Sequence, residues 1–187
     1  MLRRAISLAL CLFCCLNACS CGPSRGKQVR ILKQQIPEVK QFIYDNSEFL
    51  QLLLDVKEKI NEINEQVAEE TGKLDAITDY QIYVWNDGIY YDAYGKDYFS
   101  RESFSPFTGT EYLLVQKILF GLYQSNNVAS VSIYPDKIYF EFTCSVNTWL
   151  VLLNPVSDIE DPRKYSGRFE FTEKVNDDWC ILIYNNT

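Results

Sequence analysis

The chain has 187 residues, 47 % of them hydrophobic and 14 % aromatic, a richer apolar content than a disordered chain carries. Its 25 Asp and Glu outnumber 18 Lys and Arg, a formal charge of −7 that argues against nucleic acid, whose binding rests on basic side chains neutralising phosphates. Histidine is absent, which excludes His-based triads, His metal ligands and the commonest general acid/base near neutral pH.

In chain order, Met1, Leu2, Arg3 and Arg4 form a basic head, and residues 5–18 carry no charge and are mostly Leu, Ala, Ile, Phe and Cys. A basic head, an apolar stretch of this size and small residues at its end make a secretory signal peptide. The stretch is too short to span a bilayer, which takes about 20 apolar residues. Five of the seven cysteines lie in residues 11–21. Cys11, Cys14 and Cys15 sit among Leu and Phe, where cysteine acts as a small hydrophobe. Zinc ligands come instead from separated pairs with room for a turn.

Leu16-Asn17-Ala18-Cys19 resembles the lipobox of bacterial lipoproteins, and the likeness covers residues 1–19 only. It implies a diacylglyceryl group on the Cys19 thiol, further acylation such as palmitate, and cleavage that leaves Cys19 as the new amino terminus. Asn17 departs from the usual small apolar residue, and Cys21 is the alternative site. The implied location is the outer side of a bacterial membrane. Loss of Arg3 and Arg4 would take the formal charge from −7 to −9.

Residues 37–71 carry a helical stripe: Val39, Phe42, Asn46, Phe49, Leu53, Val56, Ile60, Ile63 and Val67 recur at three- and four-residue steps. Pro37 suits a first helical turn and Gly72 a helix stop. Ile43, Leu50, Leu52 and Leu54 broaden the stripe beyond a coiled-coil seam, which favours packing on the chain's own domain over a partner helix. Asp45 and Glu48 have the spacing of a capping box, so a second helix can start there.

From residue 79 the period changes to two. Residues 80–85 and 89–91 flank the turn Asn86-Asp87-Gly88 and read as a hairpin. Thr108 with Glu111 fits a capping box before an apolar helix over 111–124, its inner face formed by Leu114, Val115, Ile118, Leu119 and Leu122. Five strands follow: 129–134, 138–143, the nearly continuous apolar 149–153, and a closing hairpin of 167–175 and 179–184.

The expected fold class is α+β: a long N-terminal helix and a second buried helix packed on a mainly antiparallel sheet of about five to seven strands. The element order resembles cystatin-like and nuclear-transport-factor-like folds, a likeness that implies no activity. The chain divides into a signal peptide (1–18), a lipidated N-terminus and tether (19–36), the long helix (37–72) and an α+β domain (79–187) that forms one folded unit with that helix.

Candidate chemistry is sparse. Cys144 and Cys180, the two cysteines of the globular part, can form a disulfide outside the cytoplasm or stand as two buried thiols. Asp87, Asp92, Asp97, Asp158, Glu160 and Asp161 match no calcium-loop spacing and read as solvated acids. No cofactor and no metal are expected. Residues 89–107 interleave Tyr and Phe with charges, and Tyr94, Tyr98 and Phe99 are the expected recognition surface; otherwise the rings close over the sheet edge as core. These features favour a surface-anchored binding module, for a protein or a glycan, over an exported enzyme using carboxylates or a helix-mediated assembly protein.

Overall fold

The computed structural model describes residues 24–72, 76–85, 88–95, 104–124, 130–145, 148–154 and 168–185. The fold is α+β. Helices α1 (Arg25–Asp45) and α2 (Ser47–Thr71) precede the hairpin β1 (Ile77–Trp85) and β2 (Gly88–Gly95). Helix α3 (Gly109–Gln124) follows, then β3 (Ser130–Ile133), β4 (Ile138–Ser145), β5 (Thr148–Asn154), β6 (Arg168–Lys174) and β7 (Cys180–Asn185). The seven strands form one sheet in the order β2-β1-β3-β4-β5-β7-β6, every neighbouring pair antiparallel.

Helical structure begins at Arg25, so the expected tether over 19–36 is corrected from that residue onward. Leu32, Ile36, Val39 and Ile43 continue the buried stripe upstream at helical spacing. Pro37 therefore lies inside α1 rather than at its head. An interior proline costs about 3 kcal/mol, and burying Leu32 and Ile36 returns roughly 1.5–3 kcal/mol each. The packing wins.

The break falls at Asn46. Its backbone N–H and its side-chain Nδ2 both donate to the Phe42 carbonyl, at 3.0 and 2.9 Å, which satisfies the end of α1. The Asn46 side chain makes no capping bond to α2, and the chain turns there because the amide serves the preceding helix. The turn lets the two helices cover different strands: α1 lies on β4, β5 and β7, and α2 on β1, β3 and β4. At their junction Phe42, Phe49, Phe140 and Phe142 pack edge to face with centroids 5.2–6.4 Å apart. Gly72 ends α2 in the left-handed region, φ 67°, as its position implied.

Alternation decides which side of the sheet faces the helices. Ile138, Phe140 and Phe142 point inward on β4; Tyr139 and Glu141 occupy the other face. Tyr80 and Ile82 on β1, Val131 and Ile133 on β3, Leu150 and Leu152 on β5, and Ile181 and Ile183 on β7 complete the inner layer. The stripe of α2 is spent on this layer: Phe49, Leu53, Val56 and Ile60 are fully buried. The Thr108 box forms, with Glu111 accepting from the Thr108 N–H at 2.6 Å, and those bonds hold the Glu111 carboxyl below its usual range.

Polar ties pin helices to strands. Thr148 Oγ1 donates to Gln28 Oε1 at 2.9 Å, and both side chains are buried. Lys57 donates to Asn154 Oδ1 at 2.6 Å, and Asn154 Nδ2 donates to the Asp178 carbonyl at 2.8 Å. Lys40 of α1 pairs with Glu173 of β6.

Candidate functional site

The face of the sheet turned away from the helices carries the chain's most distinctive surface. Residues directly opposite across antiparallel strands share a face, so the register locates them. On β1 and β2 the outward set is Asp79, Gln81 and Tyr83, facing Tyr94, Asp92 and Tyr90 in turn. Ser130 and Ser132 continue it on β3, and Tyr139 and Glu141 on β4.

Tyr83 and Tyr90 stack with centroids 5.6 Å apart and planes 16° apart, and Tyr90 keeps 47 % of its surface exposed. Tyr83 donates its hydroxyl to Asp92 Oδ2 at 2.9 Å. That bond, then burial and the Asp92 charge, pushes the Tyr83 pKa up. Gln81 donates to Asp79 Oδ2 at 3.0 Å, which orients the second carboxylate on this face. Tyr90 lies over Gly88: a Cβ there would stand 3.1 Å from its ring, so the glycine makes room for the tyrosine. The result is a patch of oriented aromatic rings and carboxylate acceptors, with no basic side chain on either strand.

The aromatic run 89–107 divides between the two faces. Tyr90 and Tyr94 face outward, whereas Tyr91, Phe104 and Phe107 join the core with Tyr80 and Tyr112. Burial drives the Tyr91 pKa up to about 12. Tyr98 and Phe99 lie outside the described residues, as do Cys19, Cys21, Asp87, Asp97, Asp158, Glu160 and Asp161. Tyr83 is the site residue that the sequence reading passed over; Asp92, read there as a solvated acid, is its bonded partner.

Farther along the same face, Trp149 and Tyr184 stack at 5.5 Å, and Lys137 Nζ lies 5.5 and 5.8 Å from the Tyr134 and Tyr139 ring centroids. Tyr139 packs on buried Leu153, Cys180 and Leu182. The disulfide weighed between Cys144 and Cys180 is corrected by the register. Cys144 stands opposite Trp149, Trp149 opposite Tyr184, and Cys180 begins β7 four residues before Tyr184. Two strand spacings and that rise separate the two backbones by roughly 16 Å, against a limit of about 7 Å for a bridge. Cys180 is buried with its Sγ 3.5 Å from the Leu153 carbonyl.

Among the described residues no three Cys, Asp or Glu side chains converge as a metal shell would need. Burial raises the pKa of the Glu141 carboxyl. A raised folded pKa means the native state holds the proton more tightly than the unfolded chain. Stability is then greatest below the unfolded carboxyl range and falls as pH rises through the folded pKa. Glu141→Gln should raise the thermal midpoint at pH 7 by roughly 1–3 °C. The advantage should vanish near pH 3, where both states are protonated. Melting curves at the two pH values check it; a variant less stable than wild type at pH 7 would contradict the burial argument.

Comparison with known proteins finds no matching family model, no matching curated protein and no matching solved structure. The site must be read from its own chemistry.

Proposed function

We propose that the chain is a bacterial lipoprotein whose folded body is a binding module, held outside the cytoplasm by a lipid on Cys19. The observation that carries the binding reading is the Tyr83–Tyr90 stack bonded to Asp92 on a sheet face that none of the described helices covers. Tyrosines offer large contact area with few torsions to fix, and their hydroxyls add polar contacts. Oriented carboxylates add acceptors for a cationic or hydroxyl-rich ligand. The lipobox supports the anchor, and none of the helices among the described residues is long and apolar enough to cross a membrane.

Two measurements test the reading. Wild-type chain should enter the detergent phase on phase separation, and Cys19→Ala should accumulate as an unprocessed precursor. Dual or triple acylation gives stable anchoring where one chain gives only marginal hold. Normal processing of Cys19→Ala with a defect in Cys21→Ala would move the anchor to Cys21. For the binding face, Tyr83→Ala with Tyr90→Ala should abolish capture of native surface material while leaving the thermal midpoint within a few degrees. Unchanged capture would end the assignment of the site.

A further inference from the structure

The two edges of the sheet are built differently. Strand β6 carries the features that keep edges from pairing with other chains: a register slip between Phe169 and Phe171, the inward-facing Glu173 bound to Lys40, and Lys174 beside it. Strand β2 carries none of them. Its eight residues GIYYDAYG contain no Pro, Lys or Arg, and they keep an unbroken register with β1 from Gly88 to Tyr94. The one irregularity of that ladder lies on β1, between Ile77 and Asp79. Among the described residues β2 hydrogen-bonds only β1.

We propose that β2 is a docking edge, to which an extended, basic segment of a partner protein adds as an eighth strand. The proposal rests on the binding face described above and names its occupant. Main-chain groups of the incoming strand pair with those of β2, and its alternate side chains fall beside Tyr90, Asp92 and Tyr94. Charge selects the partner. Asp79 and Asp92 face outward together, no Lys or Arg occurs on β1 or β2, and the chain carries −7 overall. A strand bearing Lys or Arg at alternate positions gains from both carboxylates, whereas a second copy of β2 brings another acid to the same edge.

The probe is a ten-residue peptide alternating Lys with Val, titrated against the full chain in detergent micelles. It should bind and slow hydrogen exchange of the β2 amides. Two further peptides carry N-methyl groups at all the Lys or all the Val positions. One of them should bind at least roughly tenfold more weakly, because in an extended strand alternate N–H groups face the same neighbour. A Glu-for-Lys peptide should also bind at least roughly tenfold more weakly, and the difference should shrink as salt screens it. If both methylated peptides bind as well as the parent, strand addition is overturned and the aromatic face stands alone. If Tyr83→Ala with Tyr90→Ala leaves parent binding and β2 protection intact, the edge stands and the face reading falls. No binding by the parent, or β2 protection arising from self-association without peptide, would overturn the proposal.

Discussion

Leu53→Asp should remove the cooperative unfolding transition of the full chain, or leave one lowered by at least about 10 °C. Leu53 lies in the second turn of α2 with no exposed surface, inside the layer shared with Phe49, Val56 and Ile60. Emptying such a site costs about 2–5 kcal/mol, and an unpaired carboxylate there adds a desolvation penalty of several more. The total rivals the roughly 5–15 kcal/mol that hold a whole domain together. Leu113→Asp on α3 is the control, because Leu113 is 67 % exposed and a surface change of that kind stays within about 0.5 kcal/mol. A Leu53→Asp chain as stable as wild type but altered in mass would show that α2 serves assembly instead.

Asn64→Ala should cost about 2–4 kcal/mol, or roughly 5–12 °C in midpoint. Asn64 Nδ2 donates to the Ile77 carbonyl at 3.0 Å, and the Ile77 N–H donates back to Asn64 Oδ1 at 2.8 Å. One side chain on α2 thus closes both polar groups of the first residue of β1. Ile77 itself is fully buried, so alanine leaves its N–H and carbonyl with weaker partners where water enters poorly. Exchange of the Ile77 amide should accelerate well before that of β5, at the centre of the β4-β5-β7 ladder. A midpoint within 1 °C of wild type, with unchanged exchange, would rule out this role.

Much of the architecture was legible because periodicity reports which side of an element is dry. Ile138, Phe140 and Phe142 alternate with Tyr139 and Glu141, and the sheet obeys. The capping pair Thr108 and Glu111 located α3, and Gly72 located the end of α2. The start of α1 was not legible from local signals, because Pro37 suggests a beginning and only tertiary burial of Leu32 and Ile36 overrides it. The spacing of Asp45 and Glu48 marked where a second helix starts, but not the bond that closes α1, because the Asn46 amide reaches back to the Phe42 carbonyl.

The site was half legible. Trp85 pairs with Gly88, and counting outward from that pair brings Tyr83 to Tyr90 and Gln81 to Asp92. That arithmetic was available from the chain, and it would have found the tyrosine pair. The division of residues 89–107 was not, because Tyr91, Phe104 and Phe107 are drawn inward by Tyr80 and Tyr112, residues distant in sequence.

The early start of α1 sets how far the folded body can stray if Cys19 holds the lipid. Ser24 stands at the N-cap position, its carbonyl accepting from the Gln28 N–H, and the Gln28 side chain is already locked to Thr148 of the sheet. The link from Cys19 to Ser24, drawn taut, reaches about 18 Å at most. A body on so short a leash would sweep a shallow hemisphere just above the headgroups. It would meet ligands that share its membrane at high local concentration and have little reach toward anything standing off from the surface.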